Sequence, residues 1–185
     1  MTEWIILGII VLIGFYAVSI YNRLVKNRQM VEEGWSGIDV QLKRRSNLIP
    51  NLLNSVKGYM KHEKDLLTEV TRLRANAEEA ESKSPAARSQ AESDLSAGLI
   101  KLFAEIENSP DLHANQTVIV FLESLETIEN EIQMSRRYYN GAVRNLNVLI
   151  ESFPSNLIAN WFKFIKAEFF EIEDDADRAV PKVEF

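Results

Sequence analysis

The chain has 185 residues, of which 46% are hydrophobic and 26% charged, a balance that excludes a disordered polymer and suits one folded body with an appendage. Seven glycines and five prolines are too few for a barrel or sandwich of many tight turns, and the absence of cysteine excludes disulfides, thiolate catalysis and sulfur-ligated zinc. The formal net charge of -6 argues against non-specific nucleic-acid binding, and two histidines, His62 and His113, cannot make a three-histidine metal centre.

From Trp4 to Asn22 no side chain is charged. At ~1.5 Å per residue, such a helix nearly matches a hydrocarbon core of ~30 Å. Trp4 and Tyr21 bracket the run where amphipathic rings favour the headgroup level, and Ile5, Leu12 and Phe15 are among the side chains that would face lipid. A cleaved signal peptide would need a basic leader, whereas Met1-Thr2-Glu3 come first; Ala17-Val-Ser19 is the small-residue pattern that would suit cleavage. A core helix would carry a polar stripe, and this segment has none. The sequence therefore predicts a transmembrane anchor over residues 1–22 and a helical bundle over residues 23–185. Arg23, Lys26 and Arg28, then Lys43, Arg44 and Arg45, follow the run, so the rule that positive charge stays inside places the N-terminus outside and the body in the cytoplasm, as a single-pass inner-membrane protein.

Beyond Asn22 the body reads as helix. Leu24, Arg28, Val31, Trp35, Ile38, Leu42, Arg45, Ile49, Leu52, Val56, Tyr59, Glu63, Leu66, Val70, Leu73 and Ala77 alternate steps of four and three, a seam that faces a partner helix. Its register runs on from the membrane segment, which predicts one long helix with a kink or break near Asn47–Pro50, since proline lacks a backbone donor. Arg45 falls on the seam and should snorkel or meet a carboxylate from a facing helix. Lys43-Arg44-Arg45 lies ~30 Å along a straight helix from the bilayer edge, so direct lipid attraction is weak unless the helix lies down.

Ser82-Lys-Ser-Pro85 is a loop signal, after which a second helix carries Ala91, Leu95, Leu99, Leu102, Phe103 and Ile106 up to Asn108-Ser-Pro-Asp111. A third seam runs Val118, Phe121, Leu125, Ile128, Ile132, Ser135, Tyr139, Ala142, Leu146, Leu149, Phe153, with Asn115 or Thr117 as its cap and Phe153-Pro154 as its end. A shorter helix should cover about Asn156 to Phe170, followed by an acidic tail. The expected fold is all-α: an N-terminal transmembrane helix continuing into an antiparallel bundle of three long helices and a shorter C-terminal one.

The residues resemble those of the LemA family of bacterial membrane proteins over nearly the whole chain. The resemblance is carried by Trp35-Ser-Gly-Ile-Asp-Val-Gln-Leu-Lys-Arg-Arg45, Leu48-Ile-Pro50-Asn51, Val56-Lys-Gly-Tyr59, His62-Glu63, Pro110-Asp-Leu112, Arg136-Arg137, Tyr139-Asn140, Ala142-Val-Arg144, Phe153-Pro-Ser-Asn156, Phe162, Phe164 and the Pro181 to Phe185 end. It marks Trp35, Arg44, Arg45, Pro50, Tyr139, Asn140 and Arg144 as structural motif positions. Lys163 departs from the family pattern, standing where glycine is usual; Ser109 stands where an aromatic is usual and His113 where a lysine is usual. The resemblance implies a helical bundle on a membrane anchor with no agreed biochemical activity. Some members carry a lipid-modified cysteine, a route closed here. Neighbouring genes for a membrane-embedded zinc protease imply an adaptor, and related domains in magnetosome membrane proteins imply a bilayer-organising role.

For chemistry the residues offer little. His62-Glu63 lacks the second histidine of a zinc helix, with Leu66 in its place, and the acidic run Glu171 to Asp177 lacks the spacing of a calcium loop. The sequence therefore predicts no catalytic residue, metal or cofactor. The ring-rich stretch Trp161, Phe162, Phe164, Phe169 and Phe170 is the candidate interaction surface. Such rings could contact a protein partner or second copy, rest on the bilayer interface beside Lys163 and Lys166, or close the end of the bundle. The expected function is a non-enzymatic scaffold that self-associates or binds a membrane protein such as a membrane-embedded protease; the second reading is an oligomer that organises or shapes membrane.

Overall fold

The computed structural model describes residues 1–60 and 63–170. Among the described residues six α-helices follow one another: α1 Thr2–Val56, α2 Lys64–Glu79, α3 Pro85–Asn108, α4 Pro110–His113, α5 Gln116–Glu151 and α6 Ser155–Trp161. A 3-10 turn at Ala80–Ser82 ends α2, and no strand occurs among the described residues. The fold is all-α, with a long apolar helix at its N-terminal end. Its contacts divide into two units, the first comprising Met1–Gln41 and Glu131–Phe169, the second Leu42–Asn130 with Phe170.

In the first unit, α1 enters as an exposed apolar helix: Trp4, Ile5, Leu12 and Phe15 are all open to the surroundings. Burial starts at Ile20 and Leu24, which pack with Leu146 and Ile150 of α5 and Ala159 of α6. The two long helices run antiparallel. Leu24 meets the end of α5, whereas Gly34 lies against Tyr138 and Tyr139 and Gly37 against Ser135. Gly34 permits the closest approach, since a Cβ there would stand 3.0 Å from the Tyr139 Cα.

In the second unit the remainder of α1, α2, α3 and the start of α5 surround a core of Ile49, Leu52, Val70, Leu99, Leu102 and Leu125 with their neighbours. Each such side chain contributes about 1.5–3 kcal/mol on burial. Helices α1 and α2 are antiparallel: Lys43 pairs with Glu81, and Ser46 reaches Arg74 and Glu78. The loop into α3 follows the sequence signal, with Ser84 accepting from the Ala87 amide and Pro85 in the first turn. Asn115 caps α5 by accepting from the amides of Thr117 and Val118.

Three expectations are corrected. First, the helix does not break near Pro50; α1 continues to Val56 with Pro50 inside it. The carbonyl that Pro50 leaves without a partner is that of Ser46, and Arg74 Nε from α2 donates to it at 2.8 Å. Second, the seam from Leu24 to Ala77 is not one helix. The chain turns after Val56, so Tyr59, a seam position, is exposed, while Val70, Leu73 and Ala77 return to the same core on α2. A heptad pattern records which face is buried and not where the chain reverses. Third, α6 ends at Trp161 rather than near Phe170. Lys163 has φ 57, in the left-handed region. The Lys163 amide donates to the Asn160 carbonyl and that of Phe164 to the Ala159 carbonyl, a Schellman closure that suits glycine at the Lys163 position. Phe153, the last position of the third seam, is exposed because α5 ends at Glu151.

Candidate functional site

Two places gather the residues marked by the sequence. In the second unit, Arg45 is 1% exposed. Its Nη1 donates to Ser96 Oγ at 2.6 Å and Glu129 Oε2 at 2.7 Å; its Nη2 donates to Glu92 Oε2 at 2.5 Å and the Glu92 carbonyl at 3.2 Å. One guanidinium thus ties α1 to α3 and α5 in a planar fork that lysine could not match. Burial pushes the Glu92 carboxyl above its ordinary pKa, opposed by the charge and hydrogen bond of Arg45. Ser96 also donates to Glu129 Oε1 at 3.3 Å, so the hydroxyl joins both charges. Both Nη atoms are used within the network, while the buried Nε finds no hydrogen-bond partner among the described residues; the arrangement suits holding three helices in register. Arg44, next along α1, points outward.

In the first unit, Tyr139 is buried and its ring lies 5.5 Å from that of Trp35. Burial, with Glu168 nearby, raises the phenol pKa, so the hydroxyl stays a donor; it gives its proton to the Glu168 carbonyl at 2.8 Å. Asn147 holds the same returning segment from both sides, accepting from the Ala167 amide at 2.9 Å and donating to the Ala167 carbonyl at 3.0 Å. Lys166 pairs with Glu151. Residues 164–169 are therefore fastened to α5 by side chains in place of helical hydrogen bonds. Asn140 is half-buried and Arg144 exposed on α5.

The ring-rich stretch does not form one surface. Trp161 and Phe162 are exposed, Phe164 and Phe169 half-buried, and Phe170 buried. Tyr21 meets two of them, its ring centroid 4.6 Å from Phe162 and 5.9 Å from Phe164, while the Arg28 guanidinium covers Phe164 at 5.5 Å. The membrane-facing candidates Trp4, Ile5, Leu12 and Phe15 stand apart from this contact, on the exposed part of α1.

The partners Glu92, Ser96, Glu129 and Arg74, and the exposed side chain Leu157, are not marked by the sequence. One signal was present: the apolar seam of α3, followed backwards from Ile106 through Leu102, Leu99 and Leu95 by threes and fours, arrives at Glu92 and then Arg88, both buried. No group of three or more potential metal ligands exists among the described residues. His62 and the acidic run from Glu171 to Asp177 lie outside the described residues, as does the Pro181 to Phe185 motif.

The chain is 25% identical over 173 residues to Protein LemA of Metamycoplasma hominis, an alignment that covers 91% of this chain and 78% of the relative. It is 22% identical over 201 residues to Magnetosome protein MamQ 1 and to Magnetosome protein MamQ 2 of Paramagnetospirillum magneticum, covering 95% of this chain and 74% of each relative. The model of the LemA family matches residues 34–185, from the glycine where α1 meets Tyr139 to the last residue. With that match over most of its length, the chain belongs to the LemA family.

Proposed function

We propose that this protein is a non-enzymatic, membrane-anchored scaffold that self-associates or holds a membrane protein partner. The observation that carries the reading is α1: one helix supplies both an exposed apolar stretch long enough to cross a bilayer and, further along, the buried seam of the body. Such a helix fixes the body at a set height above one face of a membrane. The basic residues Arg23, Lys26 and Arg28 after the apolar stretch support an N-terminus outside and a body on the cytoplasmic side of an inner membrane. The non-enzymatic reading is supported by the pairing of the marked charged groups, the Nη atoms of Arg45 with two carboxylates and Arg74 with Ser46 and Glu78.

A groove in the second unit supports the reading of a partner segment. Pro50, Leu53, Met60 and Leu67 line an open groove of about 520 Å³, with Lys57 and Lys64 on its border. It offers an apolar floor and a basic rim, which suits an acidic amphipathic segment. Sizing of the full-length protein in mild detergent tests the reading: a defined oligomer or a stoichiometric complex is expected, weakened by Leu53→Glu. A monomer that retains no partner contradicts it. The similarity to two relatives named magnetosome proteins supports a second reading, an oligomer that organises membrane. That reading predicts deformation of liposomes by reconstituted protein, and unchanged liposomes would reject it.

A further inference from the structure

We propose that α6 and the turns beside it form a second membrane contact, in which Phe153, Leu157, Trp161 and Ile165 enter the interface of the leaflet from which α1 emerges. Helix α6 leaves two large apolar side chains outside. Inward it packs Ala159, buried, and Ile158, partly buried, on the cluster of α1 and α5, and Ser155 is buried as well. The opposite face, one turn apart on the helix, presents Leu157 and Trp161, which are 59% and 81% exposed. Phe153 before the helix and Ile165 after it are 80% and 83% exposed. A water-facing helix would place its large apolar residues inward and its polar ones outward. Four large apolar side chains exposed between Phe153 and Ile165 mark a surface that meets something other than water.

The position of α6 along α1 identifies the occupant. From Trp4 to Tyr21 the helix rises ~26 Å, close to a hydrocarbon core of ~30 Å, so a bilayer holding the apolar stretch brings its interface to the level of Tyr21. Tyr21 is the residue whose ring stands 4.6 Å from Phe162, and Ile20 packs with Ala159. Helix α6 therefore packs on α1 at the level where the apolar stretch ends, which sets its exposed side chains at the depth of the interface. Tryptophan has its preferred depth at that level, apolar body in the acyl boundary and indole N–H toward headgroups. Exposed Lys163 follows α6 directly, and exposed Arg23 and Lys26 follow Tyr21 on α1; these can meet lipid phosphates while the apolar chains insert. A wedge of this kind beside a single span fixes the tilt and rotation of the body on the membrane, which a lone helix leaves free.

The proposal rests on α1 spanning the bilayer, and the test separates the two. The chain has tryptophan at Trp4, Trp35 and Trp161 alone. Full-length Trp4→Phe/Trp35→Phe protein, in which Trp161 is the sole indole, is reconstituted into phosphatidylcholine–phosphatidylglycerol vesicles with and without bromine on the upper acyl chain. The proposal expects a blue-shifted Trp161 emission, most of it lost to the brominated lipid, and weak quenching by acrylamide. Emission at the water-exposed wavelength, insensitive to bromine, overturns it. A blue shift without bromine quenching, varying with protein-to-lipid ratio, assigns the patch to a second copy and also overturns it. The companion protein Trp35→Phe/Trp161→Phe reports on Trp4: if Trp4 escapes bromine, the span itself fails, whatever Trp161 shows. Should the tryptophan variants lose their helical dichroism, Leu157→Cys carrying an environment-sensitive fluorophore gives the same readout in this cysteine-free chain.

Discussion

Arg74 completes the hydrogen bonding that Pro50 interrupts: its Nε donates at 2.8 Å to the Ser46 carbonyl, four residues before the proline. A helix that contains proline has a carbonyl with no amide to meet and a ring pressed against it. Here the donor comes from a neighbouring helix, and Glu78 holds the guanidinium in place at 2.5 Å. Arg74→Ala should cost about 1–3 kcal/mol, the expense of leaving a part-buried acceptor unmet. Pro50→Ala restores the amide, so Arg74→Ala should cost clearly less in that background. Unfolding of the four proteins of this cycle in detergent, followed by circular dichroism, measures the coupling.

The Arg45 network should respond to pH in a defined direction. Burial raises the Glu92 carboxyl above its ordinary value of 4.5, so the folded protein keeps that proton to a higher pH than the unfolded chain. Between the two values the folded state binds more protons, and this group's contribution to stability falls as pH rises through the window. Glu92→Gln should abolish that slope. Arg45→Met removes the cation from two carboxylates and should cost about 3–5 kcal/mol at neutral pH. Part of that loss should return on acidification, because Glu92 can then stay protonated. Urea unfolding at a series of pH values checks both outcomes.

Gly34 and Gly37, one turn apart on α1, should behave oppositely when changed to alanine. At Gly34 the new methyl would stand 3.0 Å from the Tyr139 Cα, which is backbone, and 3.1 Å from the Tyr138 ring. Forcing the helices apart should cost about 1–3 kcal/mol, more than the gain in helix propensity of up to ~1 kcal/mol. At Gly37 the nearest atom is Ser135 Oγ at 3.9 Å, an ordinary contact, so Gly37→Ala should be neutral or stabilising. Thermal unfolding of the two variants separates them.

Lys163 has a backbone that glycine would adopt without strain. Lys163→Gly should stabilise the protein by roughly 1 kcal/mol, and Lys163→Val, with a branched side chain at positive φ, should destabilise it. Melting temperatures in detergent that move up and down respectively would bear this out.

Much of this architecture is legible in the order of residues because each helix buries one stripe. The seams through Leu24 to Val56 and Val118 to Leu149 mark α1 and α5, and Ser84-Pro85 and Asn115 mark two helix starts by their capping chemistry. The end of α1 was not legible, since the heptad continues through Tyr59 and Glu63 while the chain turns back. The continuity of α1 past Pro50 is not legible, because the compensating donor lies on another helix, 28 residues on from Ser46. The departure at Lys163 was visible, yet only the φ of 57 shows that the residue closes a helix. Arg45 announced a buried charge by sitting on a seam, but its two carboxylates are 47 and 84 residues away, beyond any local pattern.

The central claim is that α1 crosses a membrane with the body on its cytoplasmic side. The absence of native cysteine allows a direct measurement: Thr2→Cys and, separately, Lys101→Cys are exposed to a membrane-impermeant maleimide in intact cells and again after permeabilisation. The account predicts that Thr2→Cys labels in intact cells and that Lys101→Cys labels only once the membrane is opened. Labelling of Lys101→Cys from outside intact cells would contradict it.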